Sequence, residues 1–389
     1  MKRFNPLILV CGMLLFVSFA SGQHLTSAKL YYSLKQYDKA EASALKAVEK
    51  DPDDEEAWYV LGKSRFELKK YPEMIQAFDK AAKLDSAEHK EEINAYRLKV
   101  WADSFNEGIK YYNLGRDSSA YLPKAIESFN TALVAMPDST RTYYVLALAH
   151  YGNKQPDEAI KALNKSLEKS VRPEELKLLG QLHTHLARQK ADAKDEAGSK
   201  QEYLAAIEAY EKLYQLDRMN TDNILILIDL YQLLGMSDKA LTLTRDAVAF
   251  DPENRAFRYI YGVFFIKQEK YAEGIEQLNK AVEGVTDSSD QMFSDAITNF
   301  GVAYLNWGVA LKKESEAKAE EAAKAKKKNY KEDLSYKEKF KAAVPYFERA
   351  TQLNPKDASA WQQLAKLYAN LNMSDKATAA FKKFDDLNK

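Results

Sequence analysis

The sequence predicts an all-α chain, an α-solenoid in which about nine helix–turn–helix units stack into a right-handed superhelix, with extended helical insertions. Three observations predict it. Helix breakers are scarce, with 14 Gly and 10 Pro in 389 residues, and 29% of side chains are charged. A short string recurs in altered form along the chain. A small residue opening the second helix of each unit returns at a fixed interval.

Taken in chain order, residues 1–22 read as a signal peptide. Lys2 and Arg3 give a positive start, an apolar stretch runs from Leu7 to Ala20, and Ala20, Ser21 and Gly22 allow cleavage before Gln23. The stretch is shorter than the ~20 residues a membrane-spanning helix needs, so no integral span is expected after cleavage. Cys11 is the only cysteine and leaves with that segment. Val10 before it and apolar residues after it argue against a lipid anchor. The remainder has neither a disulfide nor a thiol nucleophile.

The recurring string is Tyr71-Pro72-Glu73-Met74-Ile75 … Phe78 … Ala81 … Asp85, with relatives beginning at Tyr37, Ser237 and Ser374. The small residue of each unit falls at Ala40, Met74, Ala125, Ala159, Ala206, Ala240, Gly274, Ala343 and Ala377, at intervals of 34, 51, 34, 47, 34, 34, 69 and 34. The dominant interval is 34, and the longer ones mark insertions. This ruler puts units 1–2 in 23–86, units 3–4 in 87–171, units 5–7 in 172–289 and units 8–9 in 290–389. Leu61, Gly62 and Arg65 or Phe66 share one helix face by their spacing, and Gly62 and Ala147 let a second helix approach closely. Asp51-Pro52 and Asp251-Pro252 separate units, whereas Asn153–Pro156 and Leu234–Ser237 supply turns within them. One helix pair cannot bury its apolar face alone, so neighbours must stack.

These residues resemble the tetratricopeptide repeat, whose period is 34 residues with a W-x₂-L-G-x₂-Y … A-x₃-F … P pattern. The second unit carries Trp58, Leu61, Gly62, Ala77, Phe78, Ala81 and Asp85, but has Arg65 and Phe66 where the pattern has Tyr. The sixth has Leu227, Tyr231, Ala240, Ala247 and Pro252; the ninth has Trp361, Leu364, Ala365, Tyr368, Ala377 and Phe381. The resemblance spans nearly all of 24–388 and implies first helices lining a concave face that binds proteins. It is similar to exported proteins of this family in Gram-negative envelopes, which makes a periplasmic or secreted location the expectation. Some members hold chaperone C-termini with a Lys/Asn/Arg clamp. The corresponding positions here are Tyr59 with Lys63, Tyr144 with Leu148, and Leu225 with Asp229, so that clamp is absent.

Three insertions follow from the ruler. Residues 87–98 extend a first helix backwards, with Asp117–Tyr121 in its loop. Residues 187–200 are charged and Ala-rich and lengthen a helix hairpin. The largest, at about 312–341, carries the pairs Glu314/Lys318 and Glu320/Lys324 and the basic run Lys324, Lys326–Lys328, which predicts a projecting solvated helix. In this eighth unit both Phe300-Gly301-Tyr304 and Trp307-Gly308-Leu311 fit the first-helix pattern.

The chemistry-bearing residues point away from catalysis. No nucleophile elbow, Gly-rich phosphate loop or Cys/His pair is present. His150 and His183 fall at packing positions, His183 and His185 point to different faces, and His24 and His89 stand alone, so neither a metal nor a cofactor is expected. Asp53-Asp54-Glu55-Glu56 reads as a helix cap. Lys+Arg and Asp+Glu each number 57, and without a basic surplus no nucleic-acid partner is expected.

What remains is the first-helix surface. By register it presents Tyr59, Lys63 and Phe66, then Phe105, Ile109 and Tyr112, then Tyr144, Leu148 and Tyr151, and Tyr259, Val263 and Ile266. Rings recurring toward solvent suit a peptide or helix of a protein partner, although such rings can also fill gaps between neighbouring helices. The expected function is a non-catalytic protein–protein interaction scaffold. An accessory factor for envelope assembly or secretion machinery, and a glycan- or small-ligand-binding protein, are the alternatives.

Overall fold

Second helices can lie against first helices here because small residues on one helix recur opposite large buried side chains on its partner. The computed structural model describes residues 22–85, 87–285, 287, 289–326 and 330–389, and among them there is no strand. The signal-peptide reading of 1–22 falls almost wholly outside the described residues. Helical residues 22–33 (α1) pair with α2 (Tyr37–Lys50), α3 (Glu55–Glu67) with α4 (Tyr71–Leu84), α5 (Lys90–Asp117) with α6 (Leu122–Ala135), and α7 (Thr140–Gly152) with α8 (Pro156–Leu167). The series continues with α9 (Pro173–Asp192) and α10 (Glu196–Leu216), α11 (Thr221–Leu233) and α12 (Ser237–Phe250), and α13 (Arg255–Lys267) and α14 (Tyr271–Val282). It ends with α15 (Gln291–Lys324) and α16 (Ser335–Leu353), and α17 (Ala358–Asn370) and α18 (Ser374–Leu387).

The chain divides inside α10, between Ala209 and Tyr210, into two compact bodies. In the first, α2 through α9 each pack on the next, and α4 also touches α6 and α5 touches α7. In the second, α11 through α18 do the same, with α13 reaching α15. Each body is therefore an α-solenoid, with first helices in one layer and second helices in another. The ruler residues are its axis: Ala40, Met74, Ala125, Ala159, Ala206, Ala240 and Ala343 have no exposed surface, and Gly274 and Ala377 are buried.

Six of the first helices start on a side-chain cap, and α5 and α9 do not. Asp54, Ser139, Asn220, Asn254, Asp290 and Asp357 each accept a backbone N–H from the first turn of α3, α7, α11, α13, α15 and α17. Pro52, Pro252 and Pro355 lie in the preceding turns rather than in a helix, and their carbonyls are used. Trp58 Nε1 donates to Pro52 O at 2.8 Å, Arg258 Nε to Pro252 O at 2.7 Å, and Trp361 Nε1 to Pro355 O at 3.0 Å. The Trp of the repeat pattern is thus a strap from the first turn of a helix to the turn before it.

Within repeats the turn needs one left-handed residue. It is Lys35, Lys69, Lys154, Lys194, Gly235, Glu269, Lys326 and Asn372 in all repeats but the third, with φ between 53° and 70°. Only Gly235 takes this conformation without a Cβ clash. Lys154→Gly is expected to raise the unfolding free energy by up to ~1 kcal/mol, since relief of left-handed strain outweighs the extra unfolded-chain entropy. Gly235→Ala should lower it by a similar amount; denaturant midpoints of the two variants moving the same way would refute this account.

The seam between paired helices is a small residue against a large one. A Cβ on Gly62 would lie 2.4 Å from the Phe78 ring, one on Gly108 2.5 Å from Phe129, and one on Gly301 2.9 Å from Phe347. Ala147 and Leu163 hold the equivalent places in the fourth repeat, both fully buried. This assigns the eighth repeat's register to Phe300-Gly301-Tyr304. The stretched repeats extend the same seam by two turns: Gly115 meets Leu122 and Gly308 meets Phe340, each seven residues along from the first contact.

That packing corrects the picture of the third insertion as a free arm. α15 runs on to Lys324, but Ser315 and Ala322 are buried, and Ser315 Oγ donates to Asp333 O at 2.7 Å. Tyr336 and Phe340 on the return helix belong to the core of the repeat. The Glu314–Lys318 and Glu320–Lys324 pairs form on the exposed face. Lys327 and Lys328, in the predicted basic run, lie outside the described residues.

Candidate functional site

The residues expected on the first-helix surface divide by burial. Tyr59, Phe105 and Ile266 are covered, at 4%, 5% and 8% exposure. Tyr59 stacks on His89 with ring centroids 3.7 Å apart, and its hydroxyl meets Glu92. Phe105 stacks on Trp101 and meets Phe129. These three therefore bridge neighbouring helices and do not line an open groove. Each has its own cause: the third repeat's backward extension brings His89 and Glu92 onto Tyr59, Phe105 meets the seam ring Phe129, and Ile266 packs against Gly274 of its partner helix.

Phe66 is half-buried against Tyr96 and Tyr71. Lys63 lies between the Tyr32 and Tyr59 rings, 4.8 and 4.6 Å from their centroids, and burial lowers its pKa. In the second body, Tyr259 and Val263 are half-buried, and the Tyr259 hydroxyl accepts from Asn299 Nδ2 of α15 at 2.9 Å. That bond ties the seventh repeat to the eighth.

The remaining positions come together in the first body. Ile109 and Tyr112 of α5 and Tyr144 and Leu148 of α7 are half-buried over one apolar cluster. Tyr151, 42% exposed, follows on α7 and meets the exposed His185 of α9 edge-on, with centroids 6.1 Å apart. Three successive first helices thus carry partly open rings. Burial pushes the Tyr144 hydroxyl pKa up; Glu174, Tyr112 and Glu175 add to this, and Arg172, which pairs with Glu174 and Glu175 at the start of α9, opposes it. The histidine of this strip was not among the expected surface residues; its alternation with His183, which pairs with Glu202 at 2.6 Å, places it outward.

The first-helix aromatic of the pattern has a different task. Tyr231 donates to Glu211 at 2.7 Å, with Lys239 on the same carboxylate, and Tyr368 donates to Glu348 with Lys376 beside it. Arg65 occupies this slot in the second repeat and reaches back to Glu41 at 3.3 Å, joined there by Lys70. Polar clasps to the preceding helix therefore replace the expected ring without loss of the contact. His150, in the same slot, bonds Gln155 at 2.9 Å.

One cluster had no sequence signal. Glu55 at the start of α3, and Glu88 and His89 just before α5, bring ligand atoms within 4.8 Å of one another, so His89, alone in the sequence, has carboxylate neighbours in the fold. One open cleft of about 750 Å³, lined mainly by second helices, lies beside Tyr143, His150, Glu158 and Lys161, and one of about 610 Å³, shared between α5 and second helices, beside Tyr71, Asp103, Tyr111 and Lys124. No helix among the described residues is long and apolar enough to cross a membrane.

Comparison with known proteins places the chain. Models described as tetratricopeptide repeat match residues 25–89, 334–357 and 346–379, and one described as Tetratricopeptide Repeats-Sensor matches 121–233. A model of anaphase-promoting complex, cyclosome, subunit 3 matches 199–281. Among solved structures, a crystal structure of MamA is 19% identical with a TM-score of 0.37, covering 52% of this chain and 94% of that one. PilW, a widely conserved type IV pilus biogenesis factor, is 21% identical with a TM-score of 0.35, covering 54% and 77%. No curated protein matches the chain by sequence.

Proposed function

This chain is a tetratricopeptide-repeat protein, and from that premise we propose that it is a passive, non-catalytic scaffold that binds an extended peptide or a helix of a protein partner. The observation that carries the reading is the run of partly open rings Tyr112, Tyr144, Tyr151 and His185 on three successive first helices. Rings fixed by packing beneath them lose little freedom on binding, so a partner's side chains gain contact area at small entropic cost. Export through the segment at 1–22, and work in a bacterial envelope, belong to the same proposal.

The test compares the chain with its Tyr144→Ala/Tyr151→Ala variant in cross-linking from envelope extracts. A partner protein held by the first and lost from the second, with helicity by circular dichroism unchanged, is the expected result. Equal capture by both removes the ring strip as the site. Enrichment on polysaccharide resin, with no protein partner, replaces the scaffold with a glycan-binding function.

A further inference from the structure

Two parts of the first body meet at one point: the first turn of α3 at Glu55, and Glu88 and His89 just before α5. His89 Nδ1 lies 3.0 and 3.1 Å from the two carboxylate oxygens of Glu55. A Glu88 carboxylate oxygen completes a triangle whose sides are all within 4.8 Å. We propose that Glu55, Glu88 and His89 bind a divalent transition-metal ion of the zinc class, which clips the start of α3 to the start of α5.

The donor set suits that class. One imidazole nitrogen and two carboxylate oxygens are ligands zinc takes at about 2.0–2.2 Å, which in a tetrahedron sets the ligand atoms roughly 3.3–3.5 Å apart. The His89–Glu55 separation is already close to that. Only Glu88, which is exposed, has to swing inward; water can fill the fourth position.

Two of the ligands are held before any ion arrives. The Glu55 and His89 side chains are 11% and 15% exposed, and the imidazole is stacked on buried Tyr59. The local charge is also one-sided. Glu55 and Glu88 bring two carboxyl groups to one imidazole. A dication would balance these two carboxylates, which a neutral imidazole does not. A plain His–Glu hydrogen bond would need only Glu55 and His89 and would give Glu88 no role.

The experiment is calorimetric titration of zinc into the untagged full chain, repeated on Glu88→Gln and Glu55→Gln, with thermal unfolding of each with and without zinc. The expected result is one ion per chain, a zinc-dependent rise in Tm, and a tenfold or greater loss of affinity in each variant. Glu88→Gln is the decisive variant, because Glu88 is exposed and its loss leaves the His89–Glu55 bond and the fold in place. Absence of saturable zinc binding by the unaltered chain, or equal affinity in Glu88→Gln, overturns the proposal. A ring-strip variant that keeps zinc but loses its partner would show that this site and the scaffold reading stand independently.

Discussion

Replacing Phe78 with alanine is expected to lower the unfolding free energy by about 3–5 kcal/mol, because the ring is wholly buried and the two helices it separates cannot close over the space. Its partner Gly62 supplies the more discriminating test. On helix propensity alone, Gly62→Ala should stabilise α3 by about 0.5–1 kcal/mol. The structure predicts the opposite sign, since the new methyl would lie 2.4 Å from two ring carbons of Phe78. Overpacking of this kind costs about 1–3 kcal/mol. The fourth repeat shows the compatible solution, with Ala147 and Leu163 in these two places. Gly62→Ala combined with Phe78→Leu should therefore be more stable than the sum of the single changes predicts. Denaturant unfolding of the three variants checks this, and strict additivity would mean that the ring is free to move aside.

Arg172→Met should cost about 3–5 kcal/mol at neutral pH, because it strands a carboxylate with no solvent contact. Glu175 is fully buried at the start of α9, accepts from Ser166 Oγ at 2.9 Å and pairs with Arg172. Its Oε2 has no hydrogen-bond partner, and neither does Arg172 Nε. Burial raises the Glu175 pKa, and the Ser166 bond and the Arg172 charge only partly offset it. A carboxyl group whose folded pKa is raised binds its proton more tightly in the native state. Its contribution to stability is then greatest below the ordinary carboxylate range and falls as pH rises through the raised value. Removing Arg172 lifts that value further, so the variant's deficit should shrink as the solution is acidified and Glu175 becomes neutral. Arg172→Met with Glu175→Leu should recover most of the loss at neutral pH. A deficit that stays constant across this range would show that Arg172 acts through its packing.

The repeat itself was legible because its determinants are local. Eight of the nine ruler positions from Ala40 to Ala377 are Ala or Gly for a steric reason that acts within one helix pair, Met74 being the exception, and every one of the nine is buried. Asp54 as a cap and the turns at Lys154 and Gly235 are likewise decided within a few residues. The first-helix surface was only half legible. Register places Tyr59, Phe105 and Tyr151 on comparable faces, but whether a ring is open depends on the next repeat. The extended α5 covers Tyr59 with His89, whereas α9 leaves Tyr151 exposed. The Glu55–Glu88–His89 cluster was illegible because its members sit one repeat apart and face each other only after the repeats stack.

By itself the sequence determined the helical class and the 34-residue repeat. Both follow from spacing along one or two helices. Tertiary structure alone decided which rings stay open, that Arg65 takes over a tyrosine's clasp on Glu41, and that the long insertion packs along its own repeat. Those outcomes depend on contacts between elements about one repeat apart in sequence. Helical periodicity sets which way a side chain points, but only the stacked neighbour fixes what it meets.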